Sequence, residues 1–270
     1  MFRYFSSKKE FQVVGTLRNT DKLCYFPDEY HSHLLTNFDI LDQDALISSF
    51  KQVCPEVIIN CSGLVKQRDE RNDPLLVLPV NAMLPHRLDR LCSLSGSRLI
   101  QFSTDCVFSG KKGMYCETDE SDAIDLYGKS KFIGEVHGSP STIILRKSIV
   151  GHELNSKNGL IDWFLSQSGT VYGYKKAIFS GMSTVELARI IEQYLLTKPV
   201  VHGLYHISSE PIDKMSLLQL VAKEYGKNIE IIPDEKVSID RSLDSSRFRK
   251  ITGYTPPSWP DLINMMHKSK

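Results

Sequence analysis

The sequence contains no GxxGxxG turn of the kind that lets a backbone approach a phosphate: Gly15 and Gly63 stand alone, and Gly110 and Gly113 sit in a polar loop. It also lacks any apolar run long enough to span a bilayer; the longest are short stretches such as LLVLPV. Neither sign of charge is in excess. The 33 Lys and Arg against 32 Asp and Glu leave a formal net charge of +1, which offers no general attraction to nucleic acid or an anionic membrane. None of the six cysteines forms a CxxC pair, and Cys54, Cys61 and Cys92 lie in or beside apolar segments, as reduced buried thiols do. The eight histidines show no HExxH or similar spacing, so no metal is expected. Arg3 interrupts the first apolar stretch, so the start does not read as a secretory signal, and a cytoplasmic protein is expected.

What is present is ordinary for a globular chain: 270 residues, 41% hydrophobic and 24% charged, enough for one large core and a smaller lobe. Strand and helix patterns alternate. FQVVGTL and FDILD read as strands, DALISSFKQV as a helix and VIIN as a short apolar strand. A helix around NAMLPHRLDRLCSLSG leads to the strand RLIQFST, and a helix around DLYGKSKFIGEVHG leads to STIILRKS. Apolar strands separated by helices indicate an α/β fold with a doubly wound parallel sheet over residues 1–150. Residues 151–270 change rhythm and read as a second, smaller α/β lobe that shares one crevice with the first: NGLIDWFLSQ, TVELARIIEQYLL and MSLLQLVAKEYG look helical, GLYHISS and NIEIIP extended.

Ligands of open α/β sheets bind beyond the carboxyl ends of the strands. Polar residues fall there three times. VIIN ends in Asn60, followed by the small residues Cys61, Ser62 and Gly63; RLIQFSTD ends in Ser103, Thr104 and Asp105; TIILRKS ends in Arg146 and Ser148. The sharpest signal is Tyr127-Gly128-Lys129-Ser130-Lys131. On a helix Tyr127 and Lys131 share a face, and an ammonium near a phenol lowers its pKa from about 10, which suits the phenol to proton transfer near neutral pH.

QFSTDCVFSGKKGMYCETD, followed by LYGKSKFIGE, resembles the extended short-chain dehydrogenase/reductases, and most closely the dTDP-4-dehydrorhamnose reductase group, which reduces keto groups of nucleotide-linked sugars. The resemblance runs on through ILRKSIVG to RSLDSSRF and GYTPPSWP. It implies a Rossmann-type fold and a catalytic set of Thr104, Tyr127 and Lys131, with Ser103 and Asp105 beside them at the substrate. It also implies cofactor contacts from Arg18, Asp39, Ile40, Asn60, Cys61, Ser62, Gly63 and Asn81, as well as from Tyr127 and Lys131. Arg18, with no acidic residue ending FQVVGTL, favours NADPH, with NADH left open. Lys175, Lys176 and Arg241 are candidate partners for the substrate diphosphate. The implied activity is NADPH-dependent reduction of a 4-keto nucleotide sugar for surface polysaccharide, in a protein with no nucleic-acid or membrane partner; a homodimer is left open.

Three departures qualify the resemblance. The family's first strand and its glycine turn, about 15 residues of typical length, would precede Met1. The start would then be internal to a longer chain, or the chain a damaged copy. Its sheet should show a gap beside the strands containing Val13 and Ile58, or direct pairing of the two, and NADPH binding should be weak. Cys106 stands where the family often has tyrosine, and it is the one candidate for the extra acid/base group of an epimerase or dehydratase. Lys147 stands where a small residue is usual, next to the expected nicotinamide pocket, with strand alternation leaving its direction open. A catalytically inactive relative that binds or regulates another protein is the alternative reading.

Overall fold

The computed structural model of the protein describes residues 1–64, 72–154, 156–197 and 201–269. The chain opens with a one-turn helix, α1 (Phe2–Ser6), and an extended segment whose paired part is β1 (Gly15–Thr16). Phe11, Val13 and Leu17 are half-buried and alternate with exposed Gln12, Val14 and Thr16, the period of a strand with one covered face. Two 3₁₀ turns lead to β2 (Leu34–Leu35), which lies parallel to β1. The expected strand FDILD is therefore displaced: the partner of β1 is Leu34–Leu35, and residues 38–42 form a turn in which the Asp39 side chain accepts from the Leu41 amide. The Leu17 amide donates to the Leu35 carbonyl, and the Phe38 amide donates back to Leu17, so Phe38 closes the pairing rather than starting a strand.

Asp42 then caps α2 (Gln43–Val53) by accepting from the amides of Asp44 and Ala45. Next come β3 (Val57–Asn60) and a long helical stretch: α3 (Pro74–Leu78), a π-turn over Pro79–Met83, and α4 (Leu84–Ser95), which stops at Gly96 in the left-handed region. β4 (Arg98–Phe102), α5 (Leu126–Ile133) and β5 (Thr142–Arg146) follow. Asp125 caps α5 through the Gly128 amide. Two glycines seat this helix against backbone. A Cβ at Gly128 would run into the Cys106 carbonyl, and one at Gly134 into the Asn81 carbonyl.

The later elements are β6 (Ile149–Val150), α6 (Leu160–Ser166), β7 (Thr170–Tyr174), β8 (Ala177–Phe179), β9 (Met182–Ser183), α7 (Thr184–Ile190) with a π-turn to Leu196, β10 (Gly203–His206) and β11 (Ile212–Asp213). The chain closes with α8 (Lys214–Glu224), β12 (Glu230–Asp234), β13 (Ile239–Asp240), α9 (Ser246–Thr252) and α10 (Trp259–Lys268). The main sheet is parallel, in the order β10-β5-β4-β3. Its edge strand β10 comes from beyond residue 150, so the sheet crosses the expected lobe boundary. Small sheets, β12-β7, β11-β8-β13 and β6-β9, build the rest.

The sheet is interrupted. β1 pairs with β2 and β3 with β4, and among the described residues no ladder joins β1 to β3. This is the gap expected beside the strands containing Val13 and Ile58. Side chains bridge the two sides instead. Phe5 is buried in the main core, which Met1, Tyr4, Phe11, Val13, Val57 and Ile59 pack against. Phe5 meets Phe11 edge-on at 5.3 Å, and the Tyr4 hydroxyl donates to Glu192 at 2.5 Å.

A strand paired on one side should open more readily than strands paired on both. Hydrogen exchange read by mass spectrometry should therefore show faster exchange for Val57–Asn60 than for Arg98–Phe102 and Thr142–Arg146. Equal protection of all three would mean that the β3 edge is covered in solution.

Candidate active site

The candidate residues gather at the carboxyl ends of β3, β4 and β5. At the end of β4 the chain turns sharply: Thr104 caps a 3₁₀ turn, accepting from the Cys106 amide at 3.1 Å and donating to Asp105 at 3.1 Å. α5 is pressed onto this turn through Gly128, which brings the half-buried Tyr127 beside Thr104. One turn along, Lys131 is buried and its ammonium donates to the Phe102 carbonyl at 2.6 Å. Thr104, Tyr127 and Lys131 are thus brought together on the last residues of one strand.

The electrostatics differ from the expectation in one respect. Burial pushes the Tyr127 phenol above its ordinary value, Cys106 pushes the same way, and the Thr104 hydroxyl opposes both. The net shift is upward, against the lowering expected from Lys131, which loses its own proton before the buried phenol does. Lys131 is itself lowered to about 8 by burial and by neighbouring Lys147, while Glu135 opposes the shift. At pH 7 the site therefore holds a neutral phenol beside an ammonium that is mostly protonated.

Ser103 and Arg146 turn away from the role of crevice residues. The Ser103 hydroxyl donates to Glu135 at 2.6 Å, and Arg146 makes two hydrogen bonds to the same carboxylate, at 2.8 and 2.7 Å. Both residues are buried. His206 of β10 completes the group: its ring lies 3.4 Å from Arg146 and 2.9 Å from the Tyr115 carbonyl, and its amide donates to Glu117. Sequence reasoning missed Glu135. Its signal was the spacing: Tyr127, Lys131 and Glu135 step by four, with Glu135 falling just past the end of α5.

Among the residues expected around a cofactor, Asn60 and Asn81 use their side chains inside the protein. Asn60 donates to Gln101 at 2.8 Å and accepts from the Ser62 amide at 3.0 Å. Asn81 holds Leu64 through two hydrogen bonds and donates to Ser130 on α5. Together they shape the loop Cys61-Ser62-Gly63, where Cys61 and Gly63 are exposed. Arg18 and Asp39 are exposed beyond β1 and β2, and Ile40 packs on the small core of Leu46, Leu84 and Leu88.

From the other side, Arg241 reaches the crevice: it donates to the Phe108 carbonyl at 2.9 Å, with a guanidinium nitrogen 3.9 Å from the Cys106 sulfur. Lys214, which the sequence did not single out, is lowered by burial and faces Asp105 and Cys106, with its ammonium 3.7 Å from the centre of the Phe179 ring. No local pattern marks Lys214; only the fold carries it there. Lys175 and Lys176 lie exposed in the turn after β7, where Lys176 pairs with Glu235 at 2.8 Å; among the described residues no contact joins them to Thr104 or Tyr127.

Residues 5–268 match the family described as RmlD substrate binding domain. The dTDP-4-dehydrorhamnose reductase of Aggregatibacter actinomycetemcomitans is 29% identical over 185 residues, 65% of this chain and 63% of that protein, so the match spans less than two thirds of the relative. The methionine adenosyltransferase 2 subunit beta of Xenopus tropicalis is 25% identical over 257 residues, 82% of this chain and 74% of that protein. Among solved structures, a dTDP-4-dehydrorhamnose reductase from Bacillus anthracis, in complex with NADP, superposes with a TM-score of 0.78 at 18% identity, covering 96% of this chain and 99% of that one; the likeness is one of fold.

His206 gives the site a measurable pH signature. It is buried, and its pKa is lowered to about 4 by burial and Arg146. Between about 4 and 6.5 the unfolded chain binds a proton on this residue that the folded chain refuses, so stability falls as the pH drops through that window. The loss should reach about 3 kcal/mol. Urea unfolding at pH 7, 5.5 and 4.5 should show this component in the native protein and not in His206→Gln. Parallel pH curves would show that His206 does not titrate this way.

Proposed function

Given that the chain belongs to the RmlD substrate-binding family, we propose that it is an NADPH-dependent reductase of a 4-keto nucleotide sugar. The observation that carries this reading is the convergence of Thr104, Tyr127 and Lys131 on the end of β4. The residues fit a nicotinamide at this end of the crevice. A polar set lies at the strand ends, and the Cys61–Gly63 loop exposes backbone that a flat group can approach. When bound, the dinucleotide supplies hydride.

The remaining steps belong to the chain. Thr104 hydrogen-bonds the keto oxygen. Tyr127, kept protonated by burial, donates its proton to that oxygen as negative charge develops there. This is the protonation state that reduction needs. Lys131 would hold the ribose of a bound dinucleotide and supply positive charge near the phenol. Arg241 and Lys214 approach the substrate from the second lobe, with Lys175 as a further diphosphate partner. Arg18 takes the 2′-phosphate. Asp39 and Ile40 would add further contacts to the dinucleotide, and Asn60 and Asn81 keep the Cys61–Gly63 loop in shape.

A second reading has a specific support: the long match to a protein named as a subunit of methionine adenosyltransferase. In that reading the crevice binds a nucleotide and the chain serves another protein.

The two separate in one experiment, oxidation of NADPH followed by absorbance with dTDP-4-dehydrorhamnose as substrate. The reductase reading expects turnover that falls a hundredfold or more in Tyr127→Phe, with NADPH binding measured by calorimetry nearly unchanged. Binding without turnover in the native protein would favour the second reading. Loss of NADPH binding in Tyr127→Phe would move Tyr127 from proton donor to cofactor anchor.

A further inference from the structure

Lys147 follows β5 directly and has no role in the site as described so far. Its carbonyl accepts from the Asp105 amide at 3.3 Å, which ties it to the turn holding Thr104. Its ammonium lies 5.0 Å from the centre of the Phe102 ring, on the residue whose carbonyl takes the Lys131 ammonium. Two lysines from different elements therefore meet at one residue of the β4 end. The Lys147 side chain is half-buried, and among the described residues its ammonium has no hydrogen bond and no carboxylate within ion-pair distance.

The groups that face it come from every strand end around the crevice: Cys61 after β3, Asp105 after β4 and Lys131 on α5. Lys214 and Arg241 lie on the far side of Asp105 and Cys106. Glu135 is already bound to Arg146. Asp105 is thus the carboxylate that faces Lys147, while Asp125 faces Tyr127 and the Met1 amino group lies by Cys61. A cation placed beside the Lys147 ammonium itself meets an unpaired like charge.

We propose that Lys147 sets the redox-state preference of the crevice: it opposes the cationic ring of an oxidised nicotinamide dinucleotide and accepts the neutral ring of the reduced one. The inference rests on the nicotinamide reading above. The two cofactor forms share their phosphates, riboses and adenine and differ in the charge of one ring. A lysine bound to a phosphate would act on both alike, whereas a lysine beside the ring separates them. One unit charge a few ångströms away, partly withdrawn from water, changes affinity by about tenfold or more. Reduced dinucleotide would load and oxidised dinucleotide would leave, which favours the reductive direction.

The test is calorimetric titration of NADPH and NADP⁺ against the native protein, Lys147→Met and Lys147→Arg. Methionine keeps an apolar stem against Phe102 and removes the charge; arginine keeps the charge. The native protein should bind NADPH about tenfold tighter than NADP⁺ or better. Lys147→Met should bring the ratio toward one by tightening NADP⁺, and Lys147→Arg should keep the native ratio. Equal weakening of both forms in Lys147→Met would make the lysine a phosphate contact and overturn the proposal. A native ratio near one would overturn it without any variant, and so remains decisive if Lys147→Met does not fold. If native protein binds neither form, the cofactor reading falls, and this inference falls with it.

Discussion

The interaction on which the site depends is the buried pair of Glu135 and Arg146. Arg146 ends β5, Glu135 lies just past the end of α5, and both oxygens of the carboxylate are bound by the guanidinium. Such a pair adds little net stability against an apolar alternative, but removing one partner leaves a buried charge at a cost of about 3–5 kcal/mol. Its consequence here is geometric. Ser103 donates to the same carboxylate, so three consecutive parts of the fold, β4, α5 and β5, are pinned at one point. Lys131 and Tyr127 lie four and eight residues back from Glu135, on α5. Their positions over the β4 end follow from where Glu135 is held.

Around that anchor the charges divide into two groups. Behind the strand ends, Glu135, Arg146 and neutral His206 satisfy one another. In front of them, Lys131, Lys147, Lys214 and Arg241 gather around the strand ends, where Asp105 faces Lys147 and Lys214. The four cations suit an anionic ligand, while burial and the anionic neighbours Asp105 and Asp125 keep the phenol protonated. The proton flow of a reduction agrees with both properties.

Much of this was legible in the residues. VIIN, RLIQF and TIILR are short apolar runs that could only be covered strands, and all three pair in parallel. The four-residue step from Tyr127 to Lys131 placed both side chains on the face that meets the sheet. The strand β2 was misread because apolar content is alike in Leu34–Leu35 and Phe38–Leu41, and which pair meets β1 is settled by the partner strand. Ser103 and Arg146 were read as lining the crevice because both stand at strand ends. Alternation decides which strand-end side chain faces forward, and Glu135 draws both of these back. Lys214 begins a helix more than 80 residues from Tyr127, and nothing near it in the sequence refers to the crevice.

Gly128 and Gly134 carry a further consequence. α5 rests on the Cys106 and Asn81 carbonyls with no side chain between them. The spacing between the catalytic helix and the strand end is therefore set by the radii of main-chain atoms, which have no rotamers. Side chains elsewhere in the core can exchange shape, or hop between conformers, without altering that spacing. The helix works like a machined part seated on hard stops, and its tolerance is that of the backbone itself.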